Sequence, residues 1–271
     1  MRSVYWWAIG LLPATVLVLC VAAAGQSGLE EPALDVAPFR LAWQVGDRWT
    51  VEAGSRQPQK SGEAAEAVQP VAWQFTVAAV EPIGERPCFR VEATCLEGDR
   101  PQPRVVFWVD REWGVLRRLQ TDLPVAGGFR TMIETYEPVD GQPSPVLAPL
   151  PALPLDLPLL AGPVAEAKGS RKSLYEAIPG PEGRKAEGQL GFVGEVEQSL
   201  DSGPLEGVKS LLHDDYAKNL DAAAEEQVVE VRLSAPHGRV RQLWQAGRPW
   251  PVYAENGLTA ARLVEFTPAA R

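Results

Sequence analysis

Two histidines limit the acid–base and metal chemistry open to this 271-residue chain. His213 precedes Asp214 and Asp215 in a stretch with helical spacing, and neighbouring helical residues project in different directions, so the three do not converge on an ion. Its i+4 neighbour is Ala217, which cannot ligate, and a solvated helix face is the expected role. His237 stands in Pro-His-Gly, a turn. No GxSxG elbow, HExxH helix, phosphate-binding loop or dinucleotide glycine pattern occurs. Carboxylates are plentiful, at 35 Asp and Glu, but spacing along a chain does not set two of them face to face as glycoside hydrolysis needs. No catalytic residue is assigned, and neither a metal nor a cofactor is expected.

The aromatic side chains are the remaining candidates. Trp108 and Trp113 flank one hairpin loop with Arg111 between them, and Trp244 and Trp250 flank another with Arg248 between them. Exposed indoles beside a guanidinium suit the stacking of a sugar or the docking of a protein, because the rings give contact area at low entropy cost and the arginine gives directional bonds. These six residues form the candidate binding site. The competing reading is core packing, the usual role of aromatic residues in a β-meander.

The two cysteines beyond residue 24 lie in the alternating run Arg86-Pro87-Cys88-Phe89-Arg90-Val91-Glu92-Ala93-Thr94-Cys95. On one strand they fall on opposite faces and roughly 23 Å apart at about 3.3 Å per residue. A bridge needs Cα atoms within about 7 Å, so no disulfide is expected. Cys95 is expected in the core beside Phe89, Val91 and Ala93, with Cys88 at a polar edge.

The elements that must position these residues are mostly strands. Leu41, Trp43 and Val45 alternate, Gly46-Asp47 can turn, and Trp49, Val51 and Ala53 alternate again. Residues 54–70 read as a loop. Trp73, Phe75, Val77 and Ala79 share a strand face, 89–95 repeats the pattern, 104–109 and 115–119 form a hairpin about Asp110-Arg111-Glu112, and 129–136 follows a Gly127-Gly128 turn. Seven prolines between residues 141 and 163 forbid a helix or central strand there. An apolar polyproline strap with Leu147, Leu150 and Leu153 on one side fits that segment. Residues 164–188 read as a polar surface excursion, and Leu190, Phe192 and Val196 as a short strand. A helix is expected after Gly203-Pro204, with Val208, Leu212, Tyr216 and Leu220 at i+4 steps. A second meander runs from Val228 to Phe266, with its clearest turn at Asn256-Gly257. Phe107-Trp108 and Trp113-Gly114-Val115 are echoed by Leu243-Trp244 and Trp250-Pro251-Val252, a hint of a duplicated unit.

The first 24 residues place this architecture in a compartment. One basic residue, Arg2, precedes an apolar run to Val21 and then Ala22-Ala23-Ala24, the pattern of an export signal cleaved after Ala24. An uncleaved anchor over residues 4–24, with Trp6 and Trp7 at the interface, and lipidation at Cys20 are the alternatives. Without that segment 25 basic residues face 35 acidic ones, so net charge passes from −9 to −10. Such a surface is soluble and unsuited to nucleic acid, which leaves the N-terminal segment, if uncleaved, as the link to a membrane. The organisation expected is a signal or anchor over 1–24, a tether over 25–40, a first β-meander over 41–140, the proline-rich strap and polar loop over 141–188, and a helix plus second meander over 189–271.

The Trp-punctuated meander, with Phe107-Trp108-Val109-Asp110 continuing to Val115-Leu116-Arg117, resembles the periplasmic half-barrel proteins of the lipoprotein-carrier type. The resemblance covers residues 41–138 and 227–266 and rests on pattern, so it transfers no functional residue. It implies a curved antiparallel sheet partly wrapping an apolar cavity, with helices over the mouth. The long proline strap and the single helix depart from that family. The fold expected is mainly β, of the β-rich α+β kind: two antiparallel meanders in a curved sheet or half-barrel, with one covering helix. The function expected is that of an exported, envelope-associated, non-enzymatic binding protein for an envelope protein or an apolar or carbohydrate ligand. A carrier of a lipid or lipoprotein acyl chain, and an extracytoplasmic hydrolase without a recognisable motif, are the alternatives.

Overall fold

The structure, a computed structural model, describes residues 37–39, 41–55, 70–98, 101–112, 114–135, 146–147, 171–178, 189–220, 227–235, 238–256 and 259–270. The export segment with Cys20, the 56–69 loop, Trp113, His237 and nearly all of the proline-rich strap lie outside these residues.

Thirteen strands among the described residues make one sheet. They are β1 (Arg48–Ser55), β2 (Val71–Ile83), β3 (Arg86–Cys95), β4 (Arg104–Asp110), β5 (Leu116–Val125), β6 (Gly128–Thr135), β7 (Val146–Leu147), β8 (Arg171–Ile178), β9 (Gln189–Pro204), β10 (Gln227–Ala235), β11 (Gly238–Gln245), β12 (Tyr253–Glu255) and β13 (Thr259–Thr267). Their spatial order is β6-β5-β4-β3-β2-β1-β13-β12-β11-β10-β9-β8-β7, and among these described pairs only β7–β8 is parallel. The fold is mainly β, an open, curved and almost wholly antiparallel sheet, as the alternating sequence requires.

The ladder register sorts side chains onto two faces. Leu119, Phe107, Val91 and Val77 are laterally aligned. On the same face Trp73 lies opposite Val51, Val51 opposite Leu263, and Ala261 connects through Ala254 to Gln242, two residues from Trp244. This aromatic face holds most of the core. The opposite face carries Glu52, Arg262 and Tyr253 in one row and Arg90 and Trp108 in another. Single extra residues at Ala78, Arg117 and Val264 break the register. Each bulge switches which parity faces the core. Ile83 therefore leaves the face of Phe75 and packs with Cys88 and Trp108 on the other side.

Several expected elements take another form. Leu41, Trp43 and Val45 do not make a strand, because both edges of β1 are already occupied by β2 and β13. Instead the chain from 37 to 45 crosses the aromatic face, beginning with a 3-10 turn at Ala37–Phe39 in the expected tether. Phe39 packs with Val229, Val231 and Trp244, while Trp43 stacks on Trp49 at 5.4 Å. The turn expected at Gly46-Asp47 does form. Gly46 adopts φ 100°, and the buried Asp47 carboxylate accepts from the backbone N–H groups of Gln44 and Ala269 at 2.8 and 2.9 Å.

The expected helix is two pieces. A 3-10 stretch, Leu205–Leu211, ends at Leu212, which is extended at ψ 160°, and a five-residue helix, α1 (Asp214–Lys218), follows. The apolar spacing nevertheless marks the right face, since Leu212 and Tyr216 are buried and Val208 and Leu220 pack against the core. The polar excursion contains β8, formed by pairing with β9 and not by alternation of its own residues. Within the strap Val146-Leu147 pairs with β8; Leu150 and Leu153 lie outside the described residues.

Both cysteines are free, and their places differ from expectation. Cys88 is fully buried, because a second apolar cluster covers the face on which a polar edge was expected. Cys95 lies beside the main core but half-buried, at the strand's end. The echo between the meanders does not extend to facing. Phe107 is on the aromatic face and Trp108 opposite, whereas Leu243 is opposite and Trp244 on the aromatic face.

Candidate functional site

Trp250 sits at the centre of the aromatic face. Its ring lies 4.8 Å from that of Phe75, 5.8 Å from Trp49 and 6.5 Å from Phe107, and Trp49 stacks flat on Phe75 at 5.4 Å. Trp43 closes the cluster against Phe89 and Phe107, and its Nε1 donates to the Pro249 carbonyl at 2.8 Å. Ring centroids at such separations are in van der Waals contact, so these side chains occupy the space on this face themselves. The indole N–H groups of Trp49, Trp73 and Trp250 are buried without an oxygen or nitrogen acceptor among the described residues.

The five described candidate residues are not brought together. Trp108 is 7% exposed, on the opposite face, with its Nε1 donating to Glu81 Oε2 at 3.0 Å and the Arg118 guanidinium 5.5 Å from its ring. Trp244 is fully buried against Phe39 and donates to Gln242 Oε1 at 3.1 Å. Trp250 is 1% exposed. Burial removes all three from an exposed stacking platform. The arginines serve other rings: the exposed Arg111 lies over Phe89 at 5.2 Å, and Arg248 over Tyr216 at 5.4 Å. Trp113 lies outside the described residues.

The opposite face carries the charge. Asp110, 1% exposed, accepts from Arg86 Nε at 2.5 Å and from the backbone N–H of Glu112 at 2.9 Å. Arg86 also reaches the Glu112 carboxylate at 2.7 Å. Arg90 bridges Glu81 and Glu92. Near β12, Glu230 accepts from Arg232 and Arg241, and Arg241 approaches Glu255 at 3.7 Å. In each of these three pairs, Asp110 with Glu112, Glu81 with Glu92 and Glu230 with Glu255, a guanidinium lies between the carboxylates. The Trp108 hydrogen bond, with Arg90, holds the Glu81 carboxyl below its ordinary range. Burial acts to raise that of Glu230, but the bonds from Arg232 and Arg241 outweigh it and the net shift is downward. A general acid needs the reverse shift.

The 205–220 segment lies on this same face, over β11–β13 and β1. Arg262 Nε donates to the Leu211 carbonyl at 3.0 Å, and the buried Tyr216 hydroxyl donates to Gln245 Oε1 at 2.5 Å. His213 is no solvated helix residue. Its Nδ1 accepts from the Asp215 N–H at 3.2 Å, which caps α1, and its Nε2 lies 3.5 Å from Glu52 Oε2. No group of His, Cys, Asp and Glu suited to a metal occurs among the described residues, and no helix among them is long and apolar enough to cross a membrane. The arginine–carboxylate chains were not anticipated from the sequence. The one available signal was the alternation of Glu81, Arg86, Arg90 and Glu92 with the core residues of β2 and β3.

No protein-family model matches the sequence, and no curated protein matches it. Among solved structures the chain is similar to the crystal structure of a β-barrel-like protein of Domain of Unknown Function DUF1849 from Brucella abortus. The two are 13% identical over 86% of this chain and 100% of that one, with a TM-score of 0.39. None of these comparisons joins the chain to the lipoprotein carriers.

Proposed function

We propose that this chain is an exported, envelope-associated binding protein without catalytic activity, which acts through the exterior of its sheet. One observation carries the choice of exterior over interior: the aromatic face is filled by the protein's own rings, Trp43, Trp49, Phe75, Phe107 and Trp250 among them. A carrier of an acyl chain would need that space. A hydrolase would need a carboxyl held neutral opposite an ionised one, whereas Glu81 and Glu230 are both held below the ordinary carboxyl range by their hydrogen-bond partners. Export rests on the Arg2 to Ala24 segment. The partner is a protein or carbohydrate at the cell envelope.

The experiment is fractionation of cells expressing the full chain, followed by N-terminal sequencing of the recovered protein. A product in the envelope or periplasmic fraction that starts at Gly25 is expected. A soluble cytoplasmic product that retains Met1 to Ala24 contradicts the reading.

A further inference from the structure

The two ends of the sheet are finished differently. β7 is two residues long, and Pro145 and Pro149 bracket it in sequence, so it offers little backbone to a further strand. β6 is eight residues long and pairs with β5 in unbroken register from Val125↔Gly128 to Arg118↔Thr135. It contains no proline, lysine or bulge to blunt that edge, its charged residues being Arg130 and Glu134, and β5 is its one strand neighbour among the described residues. Near its start Val125 and Phe129 are 50% and 46% exposed.

The charges of β6 name the occupant. In Gly-Phe-Arg-Thr-Met-Ile-Glu-Thr, Arg130 and Glu134 stand at equal distances on either side of Met132. Two copies paired antiparallel about Met132 set Arg130 of each opposite Glu134 of the other. Thr131 then meets Ile133, Phe129 meets Thr135, and Met132 meets itself. A slip of two residues in either direction loses both charge pairs, and a slip of four opposes Arg130 to Arg130 or Glu134 to Glu134, so the register about Met132 is favoured over these alternatives. Arg130 and Glu134 also interact within their own chain, so the contact across the axis adds to those interactions and does not need either side chain to be free.

We propose that β6 is the seat of a two-fold homodimer in which the sheets of two copies continue into one another. Such an interface is isologous and closes on itself, which also keeps the edge from propagating. This association is independent of export and stands whether or not the leader is cleaved.

Sedimentation velocity on the purified protein over a dilution series tests it. A monomer–dimer equilibrium is expected. Arg130→Glu and Glu134→Arg each weaken it by at least about tenfold through opposed like charges, and the double swap restores it. Directly opposite Cα atoms lie about 4.5–5.5 Å apart in an antiparallel pair, within disulfide range, so Met132→Cys gives a linked dimer on mild oxidation whereas Thr131→Cys gives much less. A monomer at every concentration, a dimer indifferent to both single charge swaps, or equal linking at the two positions overturns the proposal.

Discussion

Strands β2 to β5 carry stacked rings on one side and arginine–carboxylate chains on the other, and the two sides meet different physical demands. On the aromatic face the gain scales with apolar area removed from water, and Trp49, Trp73 and Trp250 reach full burial although their N–H groups meet no oxygen or nitrogen acceptor among the described residues. On the opposite face, beside the small apolar cluster of Ile83 and Cys88, polar groups are buried with matched charge, as at Asp110, or with a hydrogen-bond partner, as at Trp108 with Glu81. Stability is concentrated on the first face. Charge, and with it the capacity to discriminate partners, is concentrated on the second.

Large-to-small changes on the aromatic face should break this contrast most sharply. Trp250→Ala removes the ring that touches Trp49, Phe75 and Phe107, and a loss of about 3–5 kcal/mol is expected in urea unfolding. Asp110→Ala comes next, at about 2 kcal/mol by the same measurement, because it removes the buried acceptor of Arg86 Nε and releases the Glu112 turn. Partial exposure of Arg86 keeps the effect below that of a fully buried pair.

Acid should weaken the charged face selectively. Glu81 and Glu230 have folded-state pKa values below the ordinary 4.5, so the folded protein binds fewer protons than the unfolded one in that range. Their contribution is complete above about 4.5 and is lost as pH falls through the folded values. The urea midpoint should therefore fall below that pH, and Glu230→Gln should lower the neutral-pH midpoint while flattening the acid limb. The smallest effect expected is at His213. His213→Ala removes the cap of α1 and should cost about 0.5–1 kcal/mol, with faster amide exchange confined to 214–218.

The strands that bear these faces were largely legible. Trp73, Phe75 and Val77, or Phe89, Val91 and Ala93, alternate in a way that only a half-buried strand satisfies. The bulges at Ala78 and Arg117 were not, because Ala78-Ala79 and Arg117-Arg118 carry no local mark of an inserted residue. Leu41, Trp43 and Val45 show what alternation leaves open. A segment with the period of a strand needs a vacant neighbour to pair with, and β1 had none to give. At 212–213 the i+4 spacing marked the buried side correctly, but His213 finds better bonds as a cap to Asp215 and a partner of Glu52 than within a continuous helix. The described candidate residues are separated for a related reason. Trp108 and Arg111, or Trp244 and Arg248, are close in sequence, yet the ladder turns successive residues to opposite faces, and the guanidiniums settle on Phe89 and Tyr216.

Native mass spectrometry of the protein purified from the envelope under mild conditions tests most directly whether the rings fill their own face. A mass equal to the polypeptide alone, or to twice it, is predicted, with no lipid adduct and no change in tryptophan fluorescence on titration with a fatty acid. A stoichiometric co-purifying lipid, released together with a shift in that fluorescence, would contradict the account and return the aromatic face to the role of a ligand chamber.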